Sequence, residues 1–154
     1  MRINVCAFLA VIWLLTGSVF AQQQPEDPRI SSARQFFEEY INLEHTFDPA
    51  VADFYTDDAL IQDTRIYPTG QKRMLTLPAA KYKTLLRQSA PLAKVRGDTS
   101  EYSDITYVIE KEKVRINAMR HSNLKNYDSP ISILIDRDHD EQWKIVEEIS
   151  ESQP

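Results

Sequence analysis

Between residues 32 and 43 apolar side chains recur at Ala33, Phe36, Phe37, Tyr40 and Leu43, the spacing of one face of an α-helix. Ser32, with Gln35 three positions on, has the form of a capping box at the start of that helix. Asp48 followed by Pro49 reads as an N-cap with a first-turn proline, predicting a short second helix through Phe54 and Tyr55 that Thr56-Asp57-Asp58 breaks. From Ala59 to Asp63 the period changes to two, which predicts a strand with Ala59, Ile61 and Asp63 on one face. Residues 64–77, with the turn-like Pro68-Thr69-Gly70, read as loop with a little strand. Pro78 at the first helical position predicts a third helix that carries Tyr82, Leu85 and Leu86 on one side and ends at Pro91. Four strands follow, over 102–109, 114–122, 131–136 and 143–149, separated by charged or Asn/Asp-bearing turns. Three helices followed by a sequential antiparallel sheet predict an α+β domain with the helices packed on one sheet face.

The chain starts differently. Arg2 provides a short basic region, Val5 to Leu15 an apolar run too short to span a bilayer, and Val19-Phe20-Ala21 a small-x-small cleavage site. Residues 1–21 are therefore expected to be a signal peptide cleaved after Ala21, giving a secreted or periplasmic protein with no membrane association afterwards. Residues 22–29, polar and proline-bearing, read as a flexible leader, 30–150 as one domain and 151–154 as a tail. The single cysteine, Cys6, lies inside the signal, so no disulfide is expected to support the mature domain and the core must do so alone. The formal net charge is -5, and no basic block of the kind that binds nucleic acid is present, so no nucleic-acid partner is expected.

The pattern Y-I-x-L from Tyr40, followed by D-x6-Y-x-D-D-A-x-x-x-D from Asp48 to Asp63, resembles the early part of the NTF2-like superfamily, which includes SnoaL-type cyclases and ketosteroid isomerases. The resemblance implies a cone: three N-terminal helices on a curved, mostly antiparallel sheet around an internal pocket. In the isomerases a tyrosine of the first helix donates to the developing oxyanion, further tyrosines support it, and an aspartate ending the first strand moves the proton. Matched motif by motif, these are Tyr40, then Tyr55 and Tyr82, and Asp63. The second oxyanion donor, a protonated aspartate on the sheet, is replaced near Ile131, with Ser129 or Ser132 close by. A hydrocarbon cannot donate there.

Other patterns are weaker. In Val114 to Ser122, Arg115, Asn117, Met119 and His121 share one face and Val114, Ile116 and Ala118 the other. If the first set faces the cavity, Arg115 and Asn117 are ligand-binding candidates; otherwise they form a solvated sheet face. Asp136, Asp138 and Asp140 begin like a calcium loop, but Glu141 stands where that turn wants glycine and a strand follows instead of a helix. His45, His121 and His139 have no zinc-like spacing, so neither a metal nor another cofactor is expected. The leading reading is a non-catalytic domain binding a small, partly apolar molecule with Tyr40, Tyr55, Tyr82 and Asp63 in its pocket. One alternative is a proton-transfer enzyme with Asp63 as base and Tyr40 as oxyanion donor. Another is an interaction module, such as a homodimer, that uses the outer sheet face.

Overall fold

A computed structural model describes residues 26–154. The expected signal peptide and the first part of the leader lie outside the described residues.

Helix α1 spans Pro28–Thr46. Its N-cap is Asp27, whose carboxylate accepts from Arg29 N at 2.9 Å; Ser32 lies inside the helix and bonds back to Pro28 O at 2.9 Å instead of capping. The proline at the first helical position and the aspartate before it are the stronger start signal, so the helix begins at Pro28. A 3-10 helix, Pro49–Phe54, follows, capped by Asp48 through Ala50 N at 2.8 Å.

Strand β1 runs over Tyr55–Ile66, longer at both ends than the period-two stretch predicts. Thr56-Asp57-Asp58 does not break it: the register shifts between Tyr55 and Leu60, and that bulge absorbs the extra residues. Strand β2, Lys72–Pro78, occupies most of the stretch expected as loop. It is an edge strand paired only with β1, mostly exposed, with just Leu75 and Leu77 half-buried between exposed neighbours.

Helix α2, Ala79–Arg96, follows β2, so only two helical segments precede the sheet and the third is inserted within it. The helix does not end at Pro91 but continues to Gly97, which takes φ 61°. There Gly97 N bonds Lys94 O at 3.3 Å and Asp98 N bonds Ala93 O at 3.0 Å, which satisfies the terminal carbonyls.

Strands β3 (Ser100–Glu110), β4 (Lys113–Ser122), β5 (Tyr127–Arg137) and β6 (Trp143–Ser152) complete the fold, and β6 takes up the first half of the expected tail. The sheet order is β2-β1-β6-β5-β4-β3. Every neighbouring pair is antiparallel except β1 and β6, which are parallel. The first strand of the sheet thus lies beside the last. A parallel pair needs a long crossover, and here the whole intervening chain provides it.

The core lies between one sheet face and the helices. It contains Val114, Ile116 and Ala118 of β4, Ile131, Ile133 and Ile135 of β5, Ile61 of β1 and Ile145 of β6. Ala33, Phe37 and Tyr40 of α1 close over them, with Phe37 and Tyr40 stacked at 5.9 Å.

Pro91 removes one intrahelical hydrogen bond from a helix that continues past it. Pro91→Ala is expected to raise the unfolding free energy by about 1–3 kcal/mol, read as a higher urea midpoint with an unchanged slope. An unchanged or lower midpoint would show that the proline is accommodated without cost.

Candidate functional site

The strands bring polar groups to the inner face in two sets. In the closed set, Glu148 of β6 is only 2% exposed, in the middle of the core. Tyr55 donates to its Oε2 at 2.5 Å and Tyr82 to its Oε1 at 3.1 Å. Tyr40 and Tyr55 share a hydrogen bond of 3.3 Å between their hydroxyls. The rings of Tyr55 and Tyr82 meet edge to face at 5.3 Å, which fixes both hydroxyls on the carboxyl. Burial pushes the Glu148 carboxyl above the usual carboxylate range, against the hydrogen bond from Tyr55 and the attraction of Arg120. Burial likewise drives Tyr55, Tyr82 and Tyr40 well above the ordinary phenol value.

Alternation along the strand Trp143–Ile149 hides Glu148, because it puts Trp143, Ile145 and Glu147 on one face and Glu148 on the other. The structure inserts a bulge: Leu134 pairs with Glu147, but the next residue, Ile135, pairs with Ile145. Val146 is the extra residue, and past it the parity reverses.

The second set is a rung across the sheet, one step beyond the apolar core. Arg73 of β2 pairs with Arg65 of β1, Arg65 with Ser152 of β6, Ser129 of β5 with Arg120 of β4, and Arg120 with Tyr102 of β3. Ser129 is 3% exposed, yet its Oγ has no hydrogen-bond partner among the described residues, and neither has the buried Nε of Arg65. Arg120 donates to Glu151 O at 3.1 Å. Tyr102 is taken up by Glu44, at 2.7 Å. One step inward, Asp63 accepts from Ser152 Oγ at 2.7 Å and Ser150 Oγ at 3.4 Å.

The residues singled out from the sequence therefore fall into three groups. Tyr40, Tyr55 and Tyr82 come together, on Glu148. Asp63 shares the inner face with them but is bound to two serines of β6. Arg115 and Asn117 lie on the opposite sheet face, because Val114, Ile116 and Ala118 are the buried set of β4. There Arg115 bonds Glu110 at 2.5 Å and Glu147 at 2.9 Å, and Ser132 Oγ bonds Asn117 at 2.8 Å. The solvated-face alternative is the geometry of β4, and Arg115 and Asn117 do not line the interior.

The acidic hairpin tip is engaged with its own backbone: Asp138 Oδ1 accepts from Asp140 N and Gln142 N, both at 2.9 Å, and Asp136 pairs with Lys113 at 3.1 Å. A cleft of about 570 Å³ lies outside the interior, between α1, the 3-10 helix and the β5–β6 hairpin, with Phe36, Phe54, Arg137 and Trp143 among its walls. Lys144 bonds Asp53 O at 2.8 Å there, and Arg137 stacks on Trp143 at 4.2 Å. Asp53, Arg137 and Lys144 are thus engaged there, while the buried Trp143 Nε1 in its wall has no partner among the described residues; the inner rung differs in gathering three arginines, none of which is in a salt bridge among the described residues.

No family model and no curated protein matches this chain. Solved structures do. An NTF2-like protein of unknown function from Pseudomonas putida KT2440 superposes with a TM-score of 0.61 at 13% identity, over 79% of this chain and 84% of that one. An NTF2-like protein with a cystatin-like fold from Novosphingobium aromaticivorans gives 0.58 at 13%, over 80% of each chain. A candidate ketosteroid isomerase from Parabacteroides distasonis ATCC 8503 gives 0.57 at 14%, over 84% and 91%. At such identities the likeness establishes the fold, and the fold is NTF2-like.

A carboxyl whose pKa is raised by folding contributes stability that is complete below its unfolded value, about 4.3, and is lost as pH rises through the folded value. Glu148→Gln is therefore expected to fare better relative to the native chain at pH 8 than at pH 5 in paired urea titrations. A difference independent of pH would mean that Glu148 is ionised throughout. Tyr55→Phe, which withdraws the shorter of the two bonds to Glu148, is expected to cost about 1–3 kcal/mol in the same assay.

Proposed function

We propose that this NTF2-like domain is an exported, non-catalytic binding protein that holds a small, partly apolar molecule against its inner sheet face at the rung of Ser129 and Arg120. The observation that carries the reading is Ser129, a hydroxyl buried on that face without a partner among the described residues. Buried polar groups are ordinarily paired, and leaving one unpaired costs about 1–3 kcal/mol. An aliphatic residue would suit a closed core better, as Ile131, Ile133 and Ile135 do further along the same strand. A polar position kept there is accounted for by a ligand that supplies the missing bond. Asp63, with its carboxylate fixed by Ser150 and Ser152, would form the adjacent polar wall.

Proton transfer is disfavoured by the same hydrogen bonds. An oxyanion donor needs a free O–H. Tyr55 and Tyr82 give theirs to Glu148, and the Tyr40 hydroxyl is engaged with Tyr55, so the three phenols serve a carboxyl of the protein itself. Self-association has one observation in its favour: the outer sheet face exposes Leu60, Val108 and Ile149, each between 40% and 48% accessible.

Mass spectrometry of the protein purified from its native host, first native and then denatured, tests these readings together. A stoichiometric small molecule released on denaturation is the expected result, and its loss in Ser129→Val would assign it to the rung. Ligand-free protein at twice the chain mass would overturn the binding reading in favour of the sheet-face dimer.

A further inference from the structure

We infer that the molecule held at this rung carries an anionic head group, a carboxylate, sulfonate or phosphate, seated on the Arg120 guanidinium with Ser129 beside it. The inference rests on the binding reading above and adds the charge of the ligand to it.

Its ground is an imbalance of charge along the rung. Arg73, Arg65 and Arg120 stand on one rung of the inner face, at one end of the sheet. Arginine remains charged at any working pH. Among the described residues none of the three is in a salt bridge, although Arg29, Arg34, Arg87 and Arg115 each have an acidic partner. The chain as a whole is acidic, with a formal net charge of -5, so unpaired cations do not follow from a lack of carboxylates.

The two acids that Arg120 attracts, Glu44 and Glu148, are hydrogen-bonded to tyrosines. Glu44 accepts from Tyr102, and Glu148 accepts from Tyr55 and Tyr82. Burial pushes both carboxyls toward the neutral form, which reduces the negative charge they offer. A half-buried guanidinium whose single hydrogen bond among the described residues goes to a backbone carbonyl, Glu151 O, still has donors to give.

Ser129 faces Arg120 directly across the β4–β5 ladder, and its unpartnered hydroxyl can donate to the same acceptor. Guanidinium and hydroxyl together fit the several lone pairs of an oxyanion better than a single carbonyl. The next rung inward carries Ile131 and Ala118 opposite each other, so an apolar body attached to the anion would meet hydrocarbon. Asp63 is on that inward rung but two strands away from β5, on β1, with its oxygens held by serines, so it leaves the Arg120 end positive.

Two dyes that differ by a single group test this. Anilinonaphthalene sulfonate carries an aromatic body and one sulfonate; N-phenylnaphthylamine is the same body without the charge. Fluorescence titration of the folded domain should show one saturable sulfonate site per chain, at least tenfold tighter than that of the neutral dye. Arg120→Gln should remove that preference, bringing the sulfonate dye to about the affinity of the neutral dye. Should Arg120→Gln fail to fold, Ser129→Ala applies the same test and is expected to weaken the sulfonate dye about threefold or more. Equal binding of the two dyes, or sulfonate binding indifferent to these substitutions, would overturn the anionic head group while leaving the binding reading standing. Binding of neither dye would overturn the binding reading as well.

Discussion

The arrangement depends on one buried carboxyl. Glu148 sits among isoleucines and aromatic rings, where an isolated ionised carboxylate would be far too costly to keep. Two phenols and its own shift toward the neutral form make it tolerable. The groups that satisfy it come from separate parts of the chain: Tyr55 from the start of β1, Tyr82 from α2, and Tyr40 on α1 behind Tyr55. The cluster therefore ties both helices to the sheet at a single point and gives each a required orientation. An apolar residue at position 148 would hold the same space with less constraint on direction. Polar cores of this type favour one packing over its neighbours because a misplaced partner leaves an unsatisfied group behind.

That cluster also divides the inner face. On its side Glu148 and the three tyrosines saturate one another and the isoleucine rows pack around them. One rung further, among the described residues, Ser129 and Arg65 have buried atoms without partners and three arginines are in no salt bridge. The distinction matters because the tyrosines are the residues that most resemble a catalytic set. Their hydrogen bonds are used in holding the fold, while the unused capacity lies at a rung whose residues resemble no motif. On a scaffold that hosts many activities, the presence of familiar side chains is weaker ground than the presence of groups left without partners.

Much of this was determined by the sequence alone. The helical spacing of Ala33, Phe37 and Tyr40 places them on one face because 3.6 residues make a turn. The alternation in Val114 to Ser122 allowed just two faces, and the aliphatic one is the buried one because burial of hydrocarbon decides between them. The convergence of Tyr40, Tyr55 and Tyr82 was also legible, through a short motif. Local pattern carries such features because they depend on near neighbours along the chain.

The tertiary structure decided the rest. The partner of the three tyrosines comes from position 148, and the bulge at Val146 reverses the parity that would otherwise turn Glu148 outward. That bulge is fixed by pairing with β5 and has no signal in its own residues. The β1–β6 parallel pair, which brings Asp63 to Ser150 and Ser152, joins residues almost ninety positions apart. Arg73, Arg65 and Arg120 become one rung only when the register of six strands is set. Register is a property of pairs of strands, so no single stretch of chain contains it.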